Sequence, residues 1–293
     1  MKTKLYVSLF CVAFFWGTTF LGIRIGIETI PPFLVAGIRN LLSGFIIFFY
    51  LLFQRKLEPI NPRQLLRASI LAFMMIVLAN GLTTYSEKYI TSGLASLIST
   101  LSPFFVLVLN LILGNEKLSI KTILGILLGM FGIFLIYQNS LSDLLNPEYR
   151  QGVFAILIAV LMWSIGTIIT KKGSTNSLTM LMSVSVQMII AGVILTSIQF
   201  AITPTISTEN WSLRSILAIV YLALFGSVVG YVAYSYLISQ LPSTKVSVLS
   251  YVNVVVALFL GWLILDEVIT SRIIIAASLI IGGVFIVNYK KAK

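Results

Sequence analysis

Runs of about 20 apolar residues recur along the whole chain, and this feature limits the possible folds more than any other. A helix needs about 20 such residues to cross the hydrocarbon core of a bilayer. Charged residues make up only 10% of the 293 residues, whereas a soluble domain contains about 25%. The sequence therefore predicts an all-α integral membrane protein whose main surroundings are the lipid bilayer.

Ten transmembrane helices are predicted from these runs and from the turn residues that separate them. The pairs Pro31-Pro32, Asn61-Pro62 and Leu241-Pro242 fall between runs. Lys2 and Lys4 precede the first run as in a signal peptide, but no small-residue cleavage site follows, so this run is expected to stay as a helix. The predicted spans are residues 5–24, 32–53, 65–86, 91–113, 119–138, 152–171, 177–200, 213–237, 243–265 and 271–289.

Lysine and arginine are distributed unevenly if the N-terminus is placed in the cytoplasm. Fourteen of them then lie in cytoplasmic segments and five in outer segments, with Arg39 inside a span. Positive residues are enriched in cytoplasmic loops, so we predict a multi-pass protein of a bacterial inner membrane with both termini cytoplasmic. This asymmetry explains the net charge of +11, and nucleic acid is not expected as a partner.

The second half of the sequence repeats the first. A shift of 151 residues aligns Ser92 with Ser243, Ser96 with Ser247, Ser99 with Ser250 and Glu116 with Glu267, and a slightly shorter shift aligns Trp16 with Trp163. We therefore predict one five-helix repeat in residues 1–140 and another in residues 150–293. Because five is odd, the second repeat crosses the membrane in the opposite sense, as in many secondary transporters. Chance similarity between apolar helices is the alternative explanation.

Several short segments connect this repeat to a known family. They are Trp16-Gly17, Ile38-Arg39-Asn40, the stretch from Pro103 to Asn115-Glu116, the glycines Gly125, Gly129 and Gly132, and in the second half Leu265-Asp266-Glu267 and Gly282-Gly283. With them, nearly the whole chain resembles the EamA family of the drug/metabolite transporter superfamily. The resemblance implies ten helices around a central cavity and export of amino acids or other metabolites. The chain departs from the family pattern at Val254, where a proline matching Pro103 is expected.

Polar and aromatic residues near the middle of the predicted spans are the candidates for solute binding, because polar groups in hydrocarbon are costly unless they face protein or water. Residues three or four apart share a helix face, which places several of them on matching faces of the two halves. The candidates are Trp16, Asn80, Thr83, Ser99, Trp163, Ser227, Tyr231, Tyr234, Ser250 and Asn253. The alternative is that the small residues serve close helix packing and the aromatic residues fill the bundle core.

A second group of candidates is charged. Arg39 is the one charge well inside a span, and we expect it to form a structural or gating ion pair with Glu28, Glu87 or Glu267. Direct recognition of a substrate carboxylate is the alternative for Arg39. Glu116 and Glu267 lie at predicted helix ends and are interpreted as hinge or capping groups.

Residue types argue against catalysis. The chain has no histidine, its one cysteine, Cys11, has no histidine to activate it, and no carboxylate is predicted deep in a span. A membrane-embedded enzyme is therefore the weak alternative, and no catalytic residue, metal or cofactor is predicted.

The predicted function is export of a small solute, most simply an amino acid or a related zwitterionic or neutral compound, by alternating access. Nucleotide sugars, cofactors and drug-like compounds are the alternative substrates, and the sequence leaves a monomer and a homodimer both open. All nine acidic residues are placed in loops or at helix ends. Since proton-coupled carriers commonly use a carboxylate within the membrane, this placement predicts facilitated transport or exchange.

Overall fold

The computed structural model describes residues 2–114, 119–137, 146–173, 178–265 and 271–288, and within these ranges every regular element is a helix. The helices are α1 Lys2–Gly26, α2 Pro32–Phe53, α3 Pro62–Ser86, α4 Ser92–Ser99, α5 Ser102–Ile112, α6 Ile120–Tyr137, α7 Pro147–Lys172, α8 Met180–Ile202, α9 Leu213–Gln240, α10 Ser243–Ser247, α11 Leu249–Leu265 and α12 Ser271–Asn288. The predicted all-α fold is confirmed.

Six of the described helices are long and apolar enough to cross a membrane, namely α1, α2, α3, α7, α8 and α9. At about 1.5 Å per residue, even the 22 residues of α2 exceed the bilayer core of about 30 Å. The remaining apolar helices are shorter. The chain is therefore a multi-pass membrane protein, while ten spans remain a prediction.

Prolines mark the start of several helices. Pro62 occupies the first turn of α3, after Asn61, whose side-chain oxygen accepts a hydrogen bond from the Gln64 backbone at 2.9 Å while the Gln64 side chain accepts one from the Asn61 backbone at 3.0 Å. α7 likewise begins at Pro147. The predicted starts at residues 65 and 152 were therefore too late, because proline is favoured in the first turn, where its missing N–H is not needed.

Irregular helix geometry occurs at corresponding places in the two halves. Residues Ala72–Asn80 of α3 and Leu222–Val229 of α9 are π-helical. The predicted fourth span is interrupted between α4 and α5, just before Pro103, and the predicted ninth span is interrupted at Val248. A break thus occurs in the ninth span although Val254 replaces the expected proline.

α2 and α8 lie against each other at very short range through glycines. A Cβ atom added at Gly44 would lie 2.9 Å from the Ile189 backbone nitrogen, and one added at Gly192 would lie 2.8 Å from the Leu41 backbone nitrogen. Gly37, earlier on α2, lies against Thr196, later on α8. The contacts run in opposite order along the two chains, so α2 and α8 are antiparallel.

Candidate functional site

A cavity of about 150 Å³ lies inside the bundle and is lined by residues of α1 to α5, α7 and α9 to α11. A cavity needs roughly 10–15 Å³ to hold one buried water. This cavity could therefore hold on the order of ten waters or one small solute. All ten predicted solute-binding residues line it, namely Trp16, Asn80, Thr83, Ser99, Trp163, Ser227, Tyr231, Tyr234, Ser250 and Asn253. The structure therefore brings together residues from both halves of the sequence, and their role in binding stays a prediction.

Four aromatic rings form one wall of this cavity. Trp16 and Trp163 meet edge to face with ring centroids 5.2 Å apart, and Tyr234 lies 5.0 Å from Trp16 and 4.9 Å from Trp163. Tyr231 lies 6.0 Å from Trp163. The two tryptophans touch, and thus offer a solute a continuous aromatic surface on one side.

The polar atoms of these rings are bonded within the protein. The Trp16 indole N–H donates to the Gly226 carbonyl at 3.0 Å, the Tyr231 hydroxyl donates to the Gln187 side chain at 3.3 Å, and the Tyr234 hydroxyl contacts the hydroxyl of Thr167. Buried Trp and Tyr normally satisfy their polar atoms in this way. What remains for a solute is ring surface, which suits apolar, aromatic or cationic groups.

Other lining residues retain free hydrogen-bonding capacity. The hydroxyls of Ser227 and Ser250 and the side-chain oxygen of Asn80 are buried without a hydrogen-bond partner. The hydroxyls of Thr83 and Ser99, by contrast, donate to carbonyls one turn earlier at 2.8 Å each. Since buried polar groups are nearly always satisfied, the first three are uncharged polar contacts that the cavity can offer to a solute.

Asn253 ties two helices together. With its amide oriented so that the nitrogen faces carbonyls, it donates to Leu249 at 3.2 Å and to Ala13 of α1 at 3.0 Å. Gly17 lies directly against α11 there, since a Cβ atom added to it would stand 2.9 Å from the Asn253 carbonyl. Asn253 therefore positions α1 against α11 as well as lining the cavity.

The charged candidates separate into three groups. Arg39 lines the cavity with 4% of its surface exposed, and Glu87, at the end of α3, is fully buried. Glu28 lies 3.9 Å from Arg214 in a largely exposed pair, worth little in stability. Glu116 and Glu267 fall outside the described residues, so the hinge role expected for them stays a prediction.

The burial of Glu87 affects the prediction that transport is not coupled to protons. Glu87 lies at a helix end, as predicted, but its side chain is 0% exposed and both carboxylate oxygens lack a hydrogen-bond partner. Arg24 and Arg39 act on it electrostatically. A buried carboxylate is thus present in the bundle. The placement of acidic residues in the sequence therefore no longer supports facilitated transport or exchange over coupling to protons.

Five polar residues that line the cavity were not among the candidates, namely Thr19, Asn40, Ser96, Ser102 and Ser247. Thr19 donates to the Trp16 carbonyl at 2.7 Å, and Asn40 donates to the Ala36 carbonyl at 2.8 Å. Thr19 lies three residues after Trp16 and therefore on the same helix face, a signal that could have identified it. Asn40 directly follows Arg39 but was itself noted only as part of the segment that carries the family resemblance.

Comparison with known proteins gives a consistent result. The profile of the EamA-like transporter family matches residues 3–138 and again residues 150–289. The chain is 32% identical to the inner membrane transporter YedA of Escherichia coli strain K12 over 98% of this chain and 91% of that protein. It is 27% identical to a probable amino-acid metabolite efflux pump of the same strain, covering 98% of this chain and 95% of the relative.

Two further matches extend this picture. The transporter YoaV of Bacillus subtilis strain 168 is 27% identical, with 96% of each chain covered. A crystal structure of a protein with 16% sequence identity superposes with a TM-score of 0.79 over 98% of both chains. At 16% identity, the match to this crystal structure is evidence for the fold alone.

Proposed function

Because the chain belongs to the EamA-like transporter family, we propose that it exports a small metabolite by alternating access, with an amino acid or a related zwitterionic or neutral solute as substrate. The observation that carries the proposal is the central cavity, where aromatic rings and unpaired polar atoms from both halves of the chain meet. The relative named as a probable amino-acid metabolite efflux pump supports this substrate class.

The proposed architecture is ten transmembrane helices in two inverted five-helix repeats, residues 1–140 and 150–293. The two separate matches to the family profile support this division. The glycine contacts support it too, because Gly44 and Gly192 are equivalent under a shift of 148 residues, and so are their partners Leu41 and Ile189. Such reciprocal contacts are what a twofold relation produces, and the antiparallel course of α2 and α8 fits an inverted relation.

Each repeat also contains an equivalent contact between its first and third helices. Arg24, near the end of α1, donates to the Glu87 carbonyl at the end of α3. Lys171, near the end of α7, donates to the Ile238 carbonyl near the end of α9 at 3.0 Å. Each cation meets carbonyls at the C-terminal end of a helix, where positive charge is favoured. Matching contacts at the two ends of the bundle support similar energies for inward-open and outward-open states.

The proposed topology places both termini in the cytoplasm of a bacterial inner membrane. Under it, Arg24 and Glu87 lie near the outer face, and Lys171 lies near the cytoplasmic face. The excess of lysine and arginine in the proposed cytoplasmic segments supports this orientation.

Strongly phosphorylated substrates such as nucleotide sugars suit this cavity less well. Phosphate groups are usually held by several arginine or lysine side chains, and Arg39 is the one charged residue among those described as lining the cavity. A solute with at most one anionic group is the better match.

The test is to identify the exported compound and then to ask whether the cavity carries it. Metabolite profiling should show a compound that accumulates inside a strain lacking the gene, and proteoliposomes with the purified protein should exchange that compound by counterflow. Trp163→Ala, which removes part of the aromatic wall, should reduce counterflow at least tenfold. Trp211→Ala, outside the cavity, is the matched control and should leave it near the wild-type rate.

Absence of any accumulating or exchanged compound would contradict the proposed export. Equal rates for the two tryptophan variants would contradict the assignment of the cavity as the binding site.

A further inference from the structure

Two buried ionisable side chains, Arg39 of the cavity wall and Glu87 at the end of α3, interact electrostatically, and neither is fully satisfied by hydrogen bonds. The Nε and one terminal nitrogen of Arg39 are buried without a partner, and so are both carboxylate oxygens of Glu87. The two groups act on each other electrostatically, but no nitrogen–oxygen pair between them is within 4 Å in the part of the chain that the structure describes. Buried charges that lack close partners are costly.

The surroundings of Glu87 provide few other charges. From α1, Arg24 donates to its backbone carbonyl and not to its carboxylate, and from α2 the facing group is Arg39. Residues 148–150 at the start of the adjoining α7 include two exposed charged side chains and the half-buried Tyr149. The main influences on the charge of Glu87 are therefore its burial, which disfavours the ionised form, and then the two arginines, which favour it.

The neighbouring side chains on its own segment are occupied with each other. The hydroxyls of Tyr85 and Tyr89 are hydrogen-bonded at 3.1 Å, and the Lys88 amine lies 5.5 Å from the centre of the Tyr89 ring. Gly152 of α7 lies against the Ser86 carbonyl, where an added Cβ would stand only 3.1 Å away. This close approach of α7 helps to keep the end of α3 out of solvent.

Arg39 can reach solute, whereas Glu87 is not among the residues that line the cavity. A guanidinium with unused donors in a water-poor site binds carboxylates strongly. The unpaired hydroxyls of Ser227 and Ser250 and the aromatic wall beside Trp163 lie in the same cavity. Together these groups fit a molecule with one carboxylate and an apolar or aromatic body.

We propose that Arg39 and Glu87 form one site that binds the carboxylate of the transported solute together with a proton. This inference rests on the proposed export function and deepens it. Without solute, the positive charge of Arg39 offsets the negative charge of Glu87. When a solute carboxylate binds Arg39, it neutralises the positive charge of Arg39. Glu87 is then a buried carboxylate with a weaker counter-charge. It then binds a proton from solution.

The two binding events are thermodynamically linked, so each favours the other to the same extent. A carboxylate should bind more tightly as the pH falls, because protonation of Glu87 frees Arg39. For one linked proton the limit is about a tenfold change in affinity per pH unit. The solute and the proton are then carried together in the same direction.

Binding to the purified full-length protein tests the proposal with phenylacetate as the probe and its neutral analogue 2-phenylethanol as the reference. Phenylacetate should bind more tightly at pH 6 than at pH 8, while binding of 2-phenylethanol should not change. Arg39→Gln should weaken phenylacetate binding about ten- to hundredfold, the usual effect of losing a hydrogen bond to a charged group. The same variant should bind 2-phenylethanol normally, which shows that it is folded.

Glu87→Gln should bind phenylacetate with an affinity that no longer depends on pH. Glu28→Gln is the matched control, since Glu28 is a partly exposed carboxylate that lies beside Arg214, and it should keep the wild-type pH dependence. Should Glu87→Gln not fold, proton uptake by the wild-type protein serves instead. Adding phenylacetate in weak buffer near pH 7 should withdraw protons from solution.

Wild-type protein that does not bind phenylacetate, binds it equally at both pH values, or takes up no protons would overturn the proposal. Unchanged phenylacetate binding by Arg39→Gln would overturn it as well. None of these results touches counterflow of the exported metabolite, so a failure here is distinct from a failure of the proposed export function.

Discussion

The contact between α2 and α8 should not tolerate even one methyl group at Gly44. A Cβ atom there would stand 2.9 Å from the Ile189 nitrogen and 3.1 Å from the Ser185 carbonyl oxygen. Both are backbone atoms, so a change of rotamer cannot relieve the clash and the two helices must move apart. Overpacking of this kind costs about 1–3 kcal/mol.

Replacing glycine by alanine also strengthens the helix itself, by up to about 1 kcal/mol. The net effect of Gly44→Ala should therefore be a loss of roughly 1–2 kcal/mol, given that the clash is with backbone on two sides. Gly192→Ala should behave in the same way, because its added Cβ would lie 2.8 Å from the Leu41 nitrogen and 3.0 Å from the Gly37 carbonyl oxygen.

Thermal unfolding in mild detergent provides the assay. Gly44→Ala should lower the unfolding midpoint by several degrees, at about 2–4 °C per kcal/mol. Gly282→Ala is the matched control, since its added Cβ would meet nothing nearer than a Leu128 methyl at 3.7 Å. It should leave the midpoint unchanged or raise it. Equal midpoints for Gly44→Ala and Gly282→Ala would refute the close-contact reasoning.

Three further predictions concern a helix start, the topology and the aromatic wall. Asn61→Ala removes the side chain that caps α3 and should destabilise the protein by about 1 kcal/mol, measured by the same unfolding assay; an unchanged midpoint would show that the cap contributes nothing. A reporter fused at Lys293 should signal from the cytoplasm and one inserted at Asp143 from the outer side, and the reverse pattern would overturn the topology. Trp163→Phe should retain more counterflow than Trp163→Ala, because a ring remains against Tyr234; equal loss would exclude a stacking role.

The candidate site could be read from the sequence because polar residues at membrane depth are rare and must face protein or water. Asn80 and Ser250 were identified by this argument and line the cavity. The relative rotation of helices is not encoded in such a pattern. The contact between Trp16 and Trp163 depends on how α1 and α7 are turned toward each other, and periodicity alone does not fix that.

The burial of Glu87 shows a second limit. In the sequence it stands beside Lys88 at the end of an apolar run, which is typical of an interfacial residue. Its burial depends on α2 and α7, which pack against the end of α3, and on Arg24 of α1, which donates to the Glu87 carbonyl. Contacts between segments so distant along the chain leave no trace in local hydropathy.

One of the two helix interruptions could be predicted from the sequence, and the other could not. The break before Pro103 follows from proline chemistry, since proline has no N–H to donate to the carbonyl four residues earlier, at Ser99, and its ring clashes with that carbonyl. The break at Val248 has no such local cause. The helix starts at Pro62 and Pro147 were predictable in principle, and the error was to place these two prolines in loops.

The most direct test of the central claim, that this cavity is the transport route, is thiol labelling of Ser250→Cys in a protein whose Cys11 is replaced by serine. A small membrane-impermeant reagent would be applied to vesicles of either orientation, with Ser207→Cys, an exposed position in the loop between α8 and α9, as the control. Alternating access predicts that residue 250 reacts from both sides and that the exported metabolite slows its reaction but not that of residue 207. Reaction from one side alone, or no protection by the metabolite, would contradict the account.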